Sequence, residues 1–338
     1  MIRVSPRASE TGTLPRVSVV IPVHNGGPLL ADCLESVLDQ TGVSVDVTVV
    51  DDASTDDSVR TVAEFARRDP RVRLARHEHS QGRITTVNEA LGYAIAGLVV
   101  VMEGDGLLTA GSLQRSARLM NEFPDLSFVY GDPQPFSGTP AAQPLHERKS
   151  TIWTGSEWIA WVLKRGDSAI KSPAVMLRRQ ALRATGGHRY DVPEASNLNL
   201  MLRLASVGRV GHINGPAQVL CPAPPSHPVA LAAGAGHLDE LHARLKAFDL
   251  FVEECHSHLH DPAALRAAVR HSLARDARAA AKHARDHWRA DIEPVSEYLS
   301  FARSLEAKNT GSAASVAART YHDLQDRLTW RRWRRAGI

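Results

Sequence analysis

The feature that most constrains this chain is an alternation of two patterns between residues 16 and 130. Runs rich in β-branched and aliphatic residues (RVSVVIP, VDVTVVDD, RVRLAR, GLVVVM and LSFVY) are separated by stretches with helical spacing. A run that is apolar at nearly every position must be buried on both faces. That is the condition of a strand inside a sheet covered by helices on each side. The intervening stretches supply those helices. In GGPLLADCLESVLDQ, residues Leu30, Leu34, Val37 and Leu38 share one helical face; in STDDSVRTVAEFARR, Val59, Val62, Ala63 and Ala66 do. ITTVNEALGYAIA and AGSLQRSARLMNEF continue the series. The pattern predicts an α/β fold with a mostly parallel sheet flanked by helices.

After residue 130 the order loosens. GDPQPFSGTPAAQP reads as a loop and GSEWIAWVLKRG as a helix. SPAVMLRRQALRATGG reads as a short strand and a helix closed by its glycine pair, and LNLMLRLASVG as an amphipathic helix ended by Gly208. CPAPPSHPVALAAGAG is a linker, and almost everything beyond it reads as helix. The expected organisation is a disordered leader over residues 1–14, an α/β domain over 15–220, a linker over 221–236 and an all-α C-terminal domain over 237–338. In that last domain Leu238, Leu241, Leu245, Phe248, Val252, Cys255 and Leu259 alternate steps of three and four. Such a seam packs inside a small bundle or joins two copies as a homodimer, and its spacing leaves both open.

Composition narrows the partners. With 40 basic and 37 acidic residues the net charge is +3, which does not fit whole-surface nucleic-acid binding. The three cysteines (Cys33, Cys221, Cys255) lie far apart without CxxC spacing, and the polar N-terminus has no signal-peptide core. A cytoplasmic protein is expected. The longest apolar run, AIAGLVVVM, is too short to span a bilayer. Peripheral membrane contact is open to the basic, aromatic tail WRRWRRAGI through Trp330 and Trp333. No nucleophile elbow, phosphate-binding P-loop or GxGxxG is present.

In an open parallel sheet ligands bind at the carboxyl ends of the strands. Three polar stretches fall there: PVHN, DDASTDD and MEGDG. Two adjacent carboxylates directly after the strand run VTVV, as at Asp51-Asp52, exceed what helix capping requires. The order VSVVIPVHN, VTVVDDASTDDSV, a glycine-bearing loop with VNEALGYA, and a strand running into acidic x-Gly-Asp resembles the family-2 glycosyltransferases of GT-A fold. SPAVMLRRQALRATGGH resembles that family's strand and helix ahead of its catalytic loop, so the likeness spans residues 16–211.

The resemblance implies an inverting transfer of sugar from a nucleotide-diphosphate donor to an acceptor that the sequence does not identify. It implies that an aspartate of the Asp51-Asp52 pair accepts the N–H edge of the base, beside the backbone near Pro22 and Val23. Glu103-Gly104-Asp105 stands in place of the family's Asp-x-Asp, so Asp105 would bind Mg2+ or Mn2+ and Glu103 would reach ribose or metal. Arg83 would pair with phosphate; Asn88 matches a family asparagine, although Val87 replaces the usual arginine before it. His227, in PPSHP, lies where some members place a histidine near the metal. The family's catalytic base sits in a Glu-Asp pair before a helix reading Leu-x-x-Arg-Leu. Aligning on LMLRL, with Arg203, puts Ser196-Asn197 there, and an asparagine cannot usefully take the acceptor's proton. Three readings stay open: Asp191 or Glu194 has taken over the role, the acceptor is already nucleophilic, or the protein is a non-catalytic nucleotide-sugar-binding scaffold.

Overall fold

The computed structural model describes residues 1–4, 13–136, 149–165, 175–222, 234–259, 261–286 and 295–307. In chain order the first elements are β1 (Ile2–Val4), β2 (Arg16–Val23), α1 (Leu30–Leu38), β3 (Ser44–Asp51), α2 (Ser58–Arg68), β4 (Val72–Arg76) and α3 (Arg83–Tyr93). Next come β5 (Leu98–Val101), β6 (Leu107–Leu108), α4 (Ser112–Glu122), β7 (Leu126–Gly131), β8 (Pro133–Phe136) and β9 (Ser150–Trp153). Then follow α5 (Gly155–Arg165), β10 (Val175–Arg178), α6 (Arg179–Thr185), α7 (Ser196–Val207), β11 (Arg209–Ile213) and β12 (Val219–Pro222). Three helices close the series: α8 (Gly234–Glu254), α9 (Pro262–Asp286) and α10 (Val295–Ala307).

Nine strands form one sheet in the order β1-β9-β11-β7-β10-β5-β2-β3-β4. The alternating segment of the sequence builds its parallel half: β5, β2, β3 and β4 pair in parallel, with Val23 level with Asp51 and Asp51 level with Arg76. The other half is mixed. Strand β10 inserts antiparallel between β5 and β7, and β9 runs against both β1 and β11. The sheet thus keeps one direction for all strands except β9 and β10. A smaller sheet joins β6, β12 and β8.

Burial on both faces is what β2 and β3 achieve. Val17, Val19, Ile21 and Val23 join the core with Val47 and Val49, beneath Leu30, Cys33, Leu34 and Val37 of α1. On the opposite face Ser18 is buried too; its hydroxyl donates to Asp46 and accepts the backbone N–H groups of Ile95 and Ala96. That arrangement satisfies a polar group that would otherwise be costly inside the sheet.

Three expectations are corrected here. Ile2–Val4, placed in a disordered leader, form an edge strand against β9. Pro133–Phe136, read as loop, pair in parallel with β12, and that strand in turn takes up the first residues assigned to the linker. Short strands of this kind lack the length over which alternation can be recognised.

By contact density the chain divides into one unit of residues 1–158 and 169–230 and a second of residues 159–168 and 231–338. Within the second, α9 packs against both α8 and α10. Leu241, Phe248 and Val252 of the heptad-like seam are buried. Among the described residues no helix is long and apolar enough to cross a membrane. Trp330 and Trp333 lie outside the described residues.

Candidate functional site

The ends of β2, β3 and β5 meet around Val23. The N–H of Asp52 donates to the Val23 carbonyl at 2.7 Å, which joins the second strand end to the first. The loops that follow are laced together. Asn25 donates from its backbone to Ser54 Oγ at 2.9 Å, and its side-chain oxygen accepts the N–H of Thr55 at 2.9 Å. Asn25 and Ala53 both take the left-handed conformation, with φ of 53° and 57°. For alanine that conformation is strained. The third strand end packs on the same spot: a Cβ at Gly104 would lie 3.4 Å from Leu30 Cδ1 and 3.6 Å from Val23 Cγ2. Cys33, buried below this turn, donates its thiol to the Glu103 carbonyl. Burial, reinforced by the charge of Asp105, pushes that thiol up to about 12, so it stays protonated.

The adjacent aspartates do different things. Asp52 is buried and has both oxygens occupied. One accepts from His77 Nδ1 (2.7 Å) and the Gln81 N–H (2.6 Å), the other from Ser80 Oγ (2.8 Å) and the Gly82 N–H (3.0 Å). Burial alone would raise its pKa. The four hydrogen bonds, led by that from His77, outweigh burial and bring it down to about 2. His77 also bonds Glu89 Oε2 at 2.8 Å, so a nearly buried imidazole is held between two carboxylates that raise its pKa, Asp52 more than Glu89. Asp52 therefore anchors the loop over 77–82 and has no lone pair directed at a ligand.

Asp51 is the opposite case. Its Oδ2 accepts the Ser54 N–H at 3.1 Å and lies 3.5 Å from Arg76 Nε, while its Oδ1 is buried without a hydrogen-bond partner. A buried acceptor left unpaired costs about 1–3 kcal/mol, more when charged. A ligand N–H that reached this sealed oxygen would relieve that cost.

Arg83 opens α3, directly after Gly82, whose φ is 82°. Its guanidinium is largely exposed and stands 3.7 Å from Glu103 Oε1. Partial burial raises the Glu103 carboxyl above its ordinary range and Asp105 adds to the effect, with Arg83 opposing. Glu103 and Asp105 are both exposed at the strand end. Asn88, by contrast, is committed to the scaffold. Its oxygen accepts the N–H of His188 at 2.7 Å and its amide donates to the same residue's carbonyl at 2.8 Å. Among the described residues no cluster of three or more His, Cys, Asp or Glu side chains is arranged to hold a metal. His227 lies outside the described residues.

The family model described as Glycosyl transferase family 2 matches residues 18–185, the span from β2 to the end of α6 that carries all three strand ends. Over that span the chain belongs to glycosyl transferase family 2. Among its relatives is the uncharacterised protein MT1568 of Mycobacterium tuberculosis, 32% identical over 200 residues, covering 56% of this chain and 62% of that one. The chain spans less than two thirds of the length of the curated relatives it matches first. Among solved structures, S. aureus TarS in complex with UDP-GlcNAc aligns with a TM-score of 0.56 at 13% identity, covering 87% of this chain and 92% of that one. The mannosyltransferase PcManGT of Pyrobaculum calidifontis, in complex with GDP-Man and Mn2+, aligns with a TM-score of 0.51 at 20% identity, over 89% of this chain and 86% of its own. At these identities the likeness establishes the GT-A fold.

Downstream of the matched span, the loop between α6 and α7 carries the remaining candidates. Asp191 is gripped by Arg189 through two hydrogen bonds of 2.9 Å, and Glu194 is exposed in a single 3-10 turn. Ser196, at the first residue of α7, is fully buried, with its Oγ 3.1 Å from His188 Nδ1. Arg203 is buried and donates to Asn199 Oδ1 at 2.8 Å, to the Gly187 carbonyl at 2.6 Å and to the Thr185 carbonyl. The arginine of the family-2 helix thereby ties down the glycine turn before it. His77, Glu89 and His188 were missed by sequence reasoning. Only His188 carried a signal, its place directly after the glycine pair of a stretch that resembles the family.

Proposed function

We propose that this family-2 domain transfers a sugar from a nucleotide-diphosphate donor to an acceptor with inversion at the anomeric carbon. The observation that carries the reading is Asp51, a buried carboxylate with one oxygen unpaired beside the end of β2. The N–H edge of a nucleobase that reached this sealed oxygen, next to the backbone of Pro22 and Val23, would give it the partner it lacks. Arg83 opposes the diphosphate, since its hold on Glu103 is long and exposed and such pairs exchange partners at little cost. The fold is shared with TarS, solved with UDP-GlcNAc, and with PcManGT, solved with GDP-Man and Mn2+.

The strand end at β5 fits a hard divalent cation. Asp105 has no hydrogen bond or ion pair with a described residue, Glu103 has only the long contact with Arg83, and both present oxygen ligands. Asp105 and Glu103 would hold Mg2+ or Mn2+. When bound, the ion would neutralise charge on the departing diphosphate. The protein itself orients donor and acceptor in line, so that the two reactants meet without the entropic cost of a chance encounter.

The test is a thermal-shift panel of UDP-, GDP- and dTDP-sugars with and without Mn2+. One donor is expected to raise the melting temperature only with metal, by an amount set by the excess of ligand over its Kd. If none of the donors stabilises the protein under either condition, the reading is wrong. A second reading, donor binding without transfer, is favoured by Ser196-Asn197 at the family's base position. Release of free nucleotide diphosphate from a bound donor distinguishes the two.

A further inference from the structure

Resting on that reading, the geometry points to His188 as the proton acceptor of the transfer, in place of the carboxylate that this chain lacks. The imidazole occupies a locked position. Its main chain is bonded in both directions by Asn88, and the preceding turn is held by Arg203 through the carbonyls of Thr185 and Gly187. Its Nδ1 faces Ser196 Oγ at 3.1 Å, and Ser196 is the residue at the first of the two positions where the family carries its acidic pair. In the tautomer whose Nδ1–H donates to that hydroxyl, the lone pair sits on Nε2. That atom has no hydrogen-bond partner among the described residues and is not among the side-chain atoms sealed from solvent without one. The geometry therefore leaves a positionally locked imidazole whose Nε2, in that tautomer, can accept a proton.

The location agrees. Arg83 acts electrostatically on His188 and also stands 3.7 Å from Glu103, so the same guanidinium is near both the acidic strand end and the imidazole. The groups that charge the surroundings of His188 are Arg83 from α3 and Arg203 from α7. Burial first, and then these two cations, hold its pKa down at about 4. The ring is neutral at physiological pH and its conjugate acid is as acidic as an ordinary carboxylic acid. It is therefore about as strong a base as the aspartate it replaces. A diphosphate on Arg83 would offset one of the two cations and strengthen the base as the donor binds.

In the step itself the acceptor oxygen forms its bond to the anomeric carbon. The bond from that carbon to the diphosphate oxygen breaks, and its electron pair leaves with the diphosphate. The hydroxyl proton passes to Nε2 and is later released to water. With water as the acceptor the same step is donor hydrolysis, which makes the inference testable before the natural acceptor is known.

The experiment uses the full chain and the nucleotide sugar that stabilises it with Mn2+. Donor binding is followed by thermal shift and turnover by release of nucleoside diphosphate. For His188→Gln we expect donor affinity within about threefold of wild type and turnover lower by about 10²- to 10⁴-fold, the usual yield of a general base. In His188→Ala, added imidazole should restore part of the rate in proportion to its unprotonated fraction, which a purely structural role would not produce. Wild-type turnover in His188→Gln with normal donor binding would overturn the assignment. So would loss of turnover in Asp191→Asn or Glu194→Gln while His188→Gln stays active, which would return the role to a carboxylate. If wild type binds no donor, the transferase reading fails before any variant is compared. If it binds a donor and never turns it over, the base assignment alone falls.

Discussion

Exchanging Asp51 and Asp52 for asparagine, one at a time, should separate a ligand-binding carboxylate from a structural one standing next to it. At Asp52 the exchange replaces one oxygen by an NH2 group. Whichever way the amide turns, one backbone N–H, that of Gln81 or of Gly82, then meets another donor and loses its partner. An unpaired buried N–H costs about 1–3 kcal/mol. The charge gives a second measure. A fall in pKa from 3.8 to about 2, at about 1.4 kcal/mol per pH unit, means that ionised Asp52 stabilises the fold by about 2 kcal/mol. Together these place Asp52→Asn at about 2–4 kcal/mol of lost stability at pH 7. The sign with pH follows from a folded pKa below the unfolded one: the advantage is complete above about 4 and fades as pH falls towards about 2. Urea unfolding followed by circular dichroism, wild type against variant from pH 7 down to pH 3, measures both. Asp51→Asn should leave stability unchanged or higher, because it removes a buried charge with an unpaired oxygen, and should weaken donor binding at least tenfold. A loss at Asp52 below about 0.5 kcal/mol, the range of an ordinary surface exchange, would refute the reasoning, as would undiminished donor binding in Asp51→Asn.

Three further outcomes are expected. Ala53→Gly should stabilise the fold by about 0.5–1 kcal/mol in urea unfolding, since relief of the left-handed strain exceeds glycine's entropy cost. His77, whose folded pKa is raised by Asp52 and Glu89, contributes stability that is complete below about 6.5 and lost as pH rises through the folded value. His77→Gln should flatten that alkaline decline, and an unchanged slope would remove His77 as its source. Asp105→Asn should abolish the Mn2+ dependence of the donor-induced thermal shift with little change in stability, because Asp105 is exposed.

Much of the α/β half was legible because its information is local. In β2 and β3 the backbone pattern and the residue types coincide, so burial on both faces could be read from a run of valines and isoleucines. The acidic strand ends were legible for the same reason, as polar residues breaking an apolar run. The short strands β1, β8 and β12 were not, since their identity is set by the partner they pair with. The reversal of β10 between β5 and β7 has no local signature either.

The amino-acid order alone determined that acids and a helix start would gather at one rim of a mostly parallel sheet, because strand direction places every carboxyl end on that rim. It did not determine which acid was free. Asp52 finds its partners 25 to 30 residues away, at His77, Ser80, Gln81 and Gly82, and His188 is positioned by Asn88 from 100 residues earlier. A side chain's hydrogen-bonding capacity is consumed by whatever the folded chain brings within about 3 Å of it. The tertiary structure therefore decided that one oxygen of Asp51, and neither of its neighbour's, is left without a hydrogen bond.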